Sequence, residues 1–554
     1  MSDEEGQGNR VKTEGCEEKE IPKRRNVVLL LLIICLQMAG AFFLCNHVHA
    51  GGDAIFTFTL ANTPYEFNYI DNKLDKFPSE NGWFSADILR EQYMAMPYNR
   101  FNYSGVYWHQ RLDNHPLLYY SLVHTFCSLF PDSYSIWYAL IINVMALLLI
   151  DAILIRIGRL LFRERYAGAV LILTSMMMVV FYGMVSLARM YMLLALICLW
   201  FLYISLRIAK EMQVSMPEIL LCVFLGSQTH YYFYVYAAIT GLIILMILLV
   251  KKRWKELLKI LTAASMGEFL SLILFPWVVW HIVFNQMDKN ESLYVWSQQQ
   301  VRDYICFLNQ TVFNGRGSIW ICFTVMTALL AAFLARKGRV QWMPAEGKIE
   351  WLVIAPGTWI YSILIYTLNG AVDYYAMPVY LPVCILMASV VITFIRIAGE
   401  LFRGIKRRTD PLADKKSELL RGAMSILLMA LLTNGVVKLN ERFSYSCMDD
   451  RQYCRMHQVA EEYQGADCLY VASAEDNLLQ GMWFEFGSYG KFKRLREVDY
   501  CRIVRNTKNG WNSILRGHDS EKPVVLYLPN TLELPGNARL IDETDDFLIA
   551  ILNG

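Results

Sequence analysis

Net charge is almost absent from this chain. Its 554 residues carry 52 Lys and Arg against 50 Asp and Glu, a formal charge of +2, which gives no argument for a nucleic-acid partner. No Walker phosphate loop and no convincing Gly-rich dinucleotide fingerprint occurs, which argues against an ATP-driven transporter and a Rossmann-type nucleotide-sugar enzyme. No Cys/His spacing resembles a zinc site. What is present is apolar: 55% of residues are hydrophobic and the mean hydropathy is +0.30, too high for an ordinary soluble protein.

The apolar residues fall in runs of roughly 16–24, the length that crosses a hydrocarbon core of about 30 Å. They lie near 27–45, 135–155, 166–183, 190–208, 216–231, 233–250, 260–283, 318–335, 351–368, 375–396 and 419–437, and predict eleven spans. Lys23, Arg24 and Arg25 precede the first, so the positive-inside rule puts the N-terminus in the cytoplasm. The cytoplasmic segments so defined hold 29 Lys and Arg, while the outer segments 46–134 and 284–317 hold 8. Every basic loop therefore agrees with one topology, that of a multi-pass plasma-membrane protein. The first span also allows a signal-peptide reading with Val48-His49-Ala50 as a poor cleavage site, although cleavage would strand Asp53 at a new terminus.

The expected organisation is a disordered cytoplasmic tail at 1–26, a membrane domain at 27–437 and an extracytoplasmic α/β domain at 438–554. Residues 46–134 form a first external loop with interfacial helices, one of them from Pro116 to Phe130. Gln298 to Tyr304 suggest a surface helix in the second loop. In the C-terminal domain a helix near 450–463 precedes strand-like runs at 468–472, 524–528 and 547–551. Of thirteen cysteines, Cys447, Cys454, Cys468 and Cys501 fall in this domain, where both disulfides and free thiols remain open.

Two histidine phrases stand where spans meet the outer face: Asp113-Asn114-His115-Pro116 and Thr229-His230-Tyr231-Tyr232. Ionisable groups at such positions are functional candidates by default. Together with Gly52-Asp53-Ala54-Ile55-Phe56, Pro116-Leu117-Leu118-Tyr119-Tyr120 and Ala188-Arg189-Met190-Tyr191 they resemble, in order, the signatures of GT-C polytopic glycosyltransferases. The resemblance is to the family-39-like branch that includes protein O-mannosyltransferases and aminoarabinose transferases, and covers about 23–437. The departures are Ala54 where Glu is usual, Leu117 where Pro is usual, Leu187 where many have Glu, and Tyr374 where many have Arg.

The resemblance implies a GT-C-like helical membrane fold and inverting transfer of a sugar from a polyprenyl-phosphate donor to a glycan, lipid or protein acceptor. Asp53 and Asp113 are then the catalytic candidates, since an attacking hydroxyl must lose its proton to a nearby base. Arg189, His115 and His230 are candidates for holding the donor phosphate as negative charge develops. Tyr191, Tyr231 and Tyr375 are candidate substrate contacts. No cofactor is required, because the donor carries its own activated phosphate; a divalent metal stays open.

Each residue has a plainer reading. Asp53 could be a solvated loop carboxylate, Asp113 a helix N-cap, and His115 a loop hydrogen-bonding group. Arg189 could snorkel to headgroups, and His230 could bridge two spans. The aromatic runs 231–236 and 277–280 suit interface belts, and Glu268, inside a span, has no evident role. At the level of the whole protein, a flippase or transporter of lipid-linked sugars and a non-catalytic relative are the alternatives.

Overall fold

The computed structural model describes residues 21–48, 52–64, 82–113, 115–283, 297–336, 348–403, 411–448, 451–472, 483–506, 510–518, 521–544 and 546–552. Residues 1–20, His49, Ala50, Asn114 and the side chains of Cys447 and Cys454, which enter the expectations above, lie outside this set. The protein is a helical membrane domain capped at one end by a mixed sheet.

The helices are α1 (Ile21–Asn46), α2 (Gly52–Asn62), α3 (Asp87–Tyr93), α4 (Tyr103–Leu112), α5 (Leu118–Leu129), α6 (Trp137–Leu161), α7 (Ala167–Met177), α8 (Val179–Gly183), α9 (Tyr191–Ala209) and α10 (Met216–Ser227). They continue with α11 (Tyr232–Val250), α12 (Trp254–Leu274), α13 (Trp277–Val283), α14 (Gln298–Thr311), α15 (Gly317–Arg336), α16 (Lys348–Asn369), α17 (Met377–Arg403), α18 (Pro411–Thr433), α19 (Gly435–Met448) and α20 (Arg451–Glu462). Among the described residues seven helices are long and apolar enough to cross a membrane, or nine if each of two bent pairs is one span. Two shorter apolar helices, Leu30–Asn46 and Met216–Ser227, coincide with the remaining expected spans. This is a multi-pass membrane protein.

The bends were not expected. Between α7 and α8 the chain turns by 76°, and between α18 and α19 by 63°, the second at Asn434 with φ +53°. No proline causes either break. Buried Asn314 instead spans both, its Nδ2 donating to Met177 O at 2.8 Å and Thr433 O at 3.2 Å. Carbonyls freed by a broken helix inside a membrane must find donors, and one amide serves two of them. Gly435 allows the close approach, since a Cβ there would lie 2.7 Å from Met177 Cβ.

The basic loops converge at one end of the bundle. Lys210 donates to Leu160 O at 2.5 Å and lies 3.7 Å from Glu350. Arg253 donates to Ile208 O and Lys259 to Val214 O. Segments assigned to one side by charge alone are therefore neighbours. Within a span, Glu268 finds partners on two helices: Ser227 Oγ donates to it at 2.7 Å and Tyr234 OH at 3.0 Å.

At the opposite end lies a six-stranded sheet in the order β1-β3-β2-β4-β6-β5. Its strands are β1 (Phe84–Ser85), β2 (Asp467–Ala472), β3 (Lys491–Arg496), β4 (Val524–Pro529), β5 (Ala538–Glu543) and β6 (Phe547–Leu552). β2 runs parallel to β3 and β4, and β1, β5 and β6 pair antiparallel. β2 and β4 are buried throughout, which their continuous apolar sequences demand. β1 comes from the first external loop, so that loop and the C-terminal domain share one sheet. Cys468 and Cys501 are free thiols.

The same two regions meet in an aromatic cluster. Phe484, on the short helix Trp483–Phe486, stacks on Tyr134 with ring centroids 4.0 Å apart and meets Tyr93 and Phe58 edge-on at 4.9 and 6.0 Å. Phe58 belongs to α2, so the C-terminal domain rests directly on the helix that carries Asp53.

Candidate active site

The site is built where three non-helical breaks meet beneath the sheet domain. Asp53 occupies the first turn of α2. Arg189 lies between the 3-10 turn Met184–Ser186 and α9, on a stretch with Leu187 extended at ψ 116°. Two buried side chains hold that stretch. Thr57 Oγ1 donates to Ala188 O at 2.7 Å, and Asn143 Nδ2 donates to Leu187 O at 2.6 Å. Because Thr57 is one helical turn beyond Asp53, its bond also sets the height of α2 against the arginine.

Arg189 Nη2 approaches Asp53 Oδ1 at 3.4 Å, and Nη1 donates to Tyr120 OH at 3.3 Å. The arginine side chain is 12% exposed and the Asp53 side chain 48%. Arg189 is thus directed inward and does not snorkel, while the carboxylate keeps an open face. Arg189 Nε is buried without a partner in the structure.

The histidine phrases are joined through the backbone: Leu118 N donates to Gln228 O at 2.9 Å. Asp113 ends α4 as its C-cap rather than starting the next helix as an N-cap. Its Oδ2 lies 2.6 Å from His115 Nδ1, so the expected loop hydrogen bond of His115 is made to this carboxylate. The rings of His115 and His230 are 5.7 Å apart. His230 Nδ1 accepts from Tyr232 N at 3.1 Å, which puts the ring proton on Nε2. That Nε2 is buried without a partner in the structure. Burial, reinforced by the nearby charges of His115 and Arg189, holds the His230 imidazole well below its ordinary pKa despite the opposing effect of Asp113. His230 is therefore a neutral hydrogen-bond donor at pH 7.

A group of aromatic side chains completes the cluster. Tyr191 stacks on Tyr374 at 4.6 Å and lies 5.8 Å from His230. Tyr375 lies 6.2 Å from Tyr191 and 4.8 Å from Tyr232. The structure thus brings Asp53, Asp113, His115, Arg189, Tyr191, His230 and Tyr375 into one neighbourhood. Tyr231 is differently employed: its hydroxyl pairs with His281 Nδ1 at 2.5 Å, and His281 Nε2 meets Arg111 O. Tyr120 and Tyr374 join the cluster although neither stood out as a site residue. Thr57 and Asn143 carried no sequence signal, because their partners lie 131 and 44 positions away. Ala54 is buried, so the residue after Asp53 packs rather than adds a second carboxylate. Among the described residues no group of three or more His, Cys, Asp or Glu comes together as a metal site.

A buried arginine with a carboxylate beside it, roofed by an extramembrane domain, stands on a helical membrane scaffold of GT-C fold. That fold is shared with ArnT from Cupriavidus metallidurans. The structure of ArnT bound to undecaprenyl phosphate superposes with TM-score 0.52 at 11% identity, over 94% of this chain and 97% of that one. Its apo form gives TM-score 0.52 over 95% and 98%. By sequence, no family model and no curated protein matches the chain.

Proposed function

We propose that the protein is a membrane glycosyltransferase that moves a sugar from a polyprenyl-phosphate donor to an acceptor hydroxyl at the outer face. The observation that carries this reading is the Asp53–Arg189 pair: one half-open carboxylate and one inward-facing guanidinium at a membrane-surface break. The fold supports it, because ArnT binds undecaprenyl phosphate on the same scaffold.

In this reading Asp53 accepts the proton of the acceptor hydroxyl as its oxygen attacks the anomeric carbon. The bond from that carbon to the phosphate oxygen breaks on the opposite side, so the configuration inverts. The electron pair leaves on the lipid phosphate, whose charge is met by Arg189 and by the neutral donor His230 Nε2. Preorganised donors in a poorly hydrated site are the usual largest source of such stabilisation. Asp113 holds His115 in orientation beside His230, and Tyr191, Tyr374 and Tyr375 offer ring faces to the sugar. The one-sided basic loops support a cytoplasmic N-terminus, with this site and the sheet domain on the outer side in this reading.

A transporter would also use bent spans, since broken helices form many substrate sites. Here Asn314 donates to a carbonyl at each break, which favours a structural role for both. The test is incubation of purified protein with radiolabelled polyprenyl-phosphate sugars and candidate acceptors. Transfer of label supports the reading; lipid movement across vesicles without transfer replaces it with the flippase.

A further inference from the structure

Two features stand outside the proposed reaction: Tyr231, whose hydroxyl is engaged away from the other site residues, and the aromatic run at 277–280. Both lead to Arg111. Tyr231 OH pairs with His281 Nδ1, and His281 Nε2 meets Arg111 O at 2.9 Å. A carbonyl only accepts, so His281 carries its proton on Nε2 and accepts the Tyr231 hydroxyl at Nδ1. Arg111 O is one of the carbonyls that the end of α4 leaves without a helical partner, and this relay ties it to α13 and to the start of α11.

With its backbone pinned, the Arg111 side chain stacks. Its guanidinium carbon lies 4.1 Å from the ring centre of Trp277 and 4.9 Å from that of Trp108. Such contacts engage the guanidinium face and leave its N–H fork for an anion. Among the described residues no carboxylate pairs with Arg111 and no acceptor takes a hydrogen bond from its fork. Asp113, two residues on, pairs with His115 instead. Arg111 is partly exposed and none of its guanidinium nitrogens is buried, so a ligand reaches the fork directly.

The surroundings are apolar and open. α12 ends at Leu274, and the chain resumes after Pro276 as α13, where Trp280 and Ile282 are 52% and 54% exposed. Leu112, next to Arg111, is also exposed. Indoles, exposed aliphatic side chains and an unpaired cation at the end of a span match the bilayer interface, where lipid phosphates lie. We infer that Arg111, held by Trp108 and Trp277, docks the phosphate headgroup of an anionic membrane lipid, at a place distinct from the donor-phosphate position assigned to Arg189. The fork supplies the charge and the exposed side chains of α13 meet the lipid chains. Placement in the outer leaflet rests on the topology of the transferase reading; the binding itself does not.

The test is native mass spectrometry of the full-length protein, delipidated in detergent and titrated with phosphatidylglycerol or with phosphatidylcholine of the same chains. The parent protein should retain phosphatidylglycerol in preference to phosphatidylcholine. Arg111→Gln should weaken that retention by about tenfold or more, since a charged hydrogen-bonding partner is lost. Arg111→Lys, which keeps the charge and loses the planar fork, should be intermediate, and it carries the comparison if Arg111→Gln fails to fold. Soluble glycerol 3-phosphate should not compete at concentrations where the lipid is held; equal competition would overturn the lipid assignment. Equal retention by the parent and both variants, or no preference for the anionic lipid, overturns the inference. Retention that depends on Arg111 in a protein without transfer activity would keep this site and remove the transferase reading.

Discussion

Arg189 lies 136 positions from Asp53 in the chain, and its Nη2 stands 3.4 Å from the Asp53 carboxylate. Its other terminal nitrogen is bonded to Tyr120. The contact depends on an unwound stretch held by Thr57 and Asn143, so the pairing is a property of the fold rather than of two mobile side chains. In the proposed reading, Arg189 releases the carboxylate for chemistry and turns its fork to the donor phosphate.

That role predicts a graded loss. Arg189→Lys keeps the charge and loses the bidentate fork suited to phosphate, so donor affinity and transfer should fall clearly, and further for Arg189→Ala. Protein level and detergent-solubilised melting should change little. Normal donor affinity in Arg189→Ala, measured by direct lipid-phosphate binding, would remove the phosphate role.

Topology is tested by impermeant thiol labelling in a background cleared of other cysteines. Cysteines at Val498, which is 75% exposed in the sheet domain, and at Asn440 should be modified in intact cells. A cysteine at Glu211, within the basic end, should react only after lysis. The reverse pattern would invert the whole assignment.

The contact between sheet domain and α2 should contribute measurably to stability. Phe484→Ala empties the centre of the Phe58, Tyr93 and Tyr134 cluster, and large-to-small changes of this kind cost about 3–5 kcal/mol. Limited proteolysis should release the C-terminal domain faster in this variant, with Phe484→Leu intermediate. Unchanged cleavage would mean that the domain is held elsewhere.

Glu485, next to Phe484, gives that interface a pH dependence. Burial raises its carboxyl from 4.5 to about 8, so the folded state keeps a proton that the unfolded chain has released across that interval. Stability from this group is complete below about pH 4.5 and declines as pH rises toward 8. Glu485→Gln should flatten the decline and add on the order of 1–3 kcal/mol near pH 8. Thermal melts at pH 5 and pH 8 measure it; a variant as pH-sensitive as the parent would contradict the assignment.

Legibility in the sequence followed the range of the interactions. The spans were readable because bilayer length and loop charge are local in sequence, and the bonds of Lys210, Arg253 and Lys259 to the carbonyls of Leu160, Ile208 and Val214 bring the basic loops to one end of the bundle. The bends at Met178 and Asn434 were not readable, since the amide that bridges them, Asn314, is far away in the chain. Strands β3 and β5 escaped notice because Lys491–Arg496 and Ala538–Glu543 are rich in charge, whereas buried β2, β4 and β6 announced themselves as apolar runs. In the site, Asp53, Arg189 and His230 stood out as polar groups at span ends. Tyr231 looked equivalent to its neighbours, but adjacent residues at a helix start project about 100° apart, and its hydroxyl meets His281 instead.

The central claim is that Asp53 is the general base, and Asp53→Asn tests it most directly. Asn preserves shape but accepts no proton at working pH, and general-base catalysis contributes about 10²–10⁴-fold. Turnover of a polyprenyl-phosphate sugar by Asp53→Asn should therefore fall by about that factor with donor binding nearly unchanged. Asp113→Asn, which loosens His115 without removing the base, should lose less. Near-normal transfer by Asp53→Asn together with a dead Asp113→Asn would move the base to Asp113. Full activity in both would contradict the catalytic reading of this site.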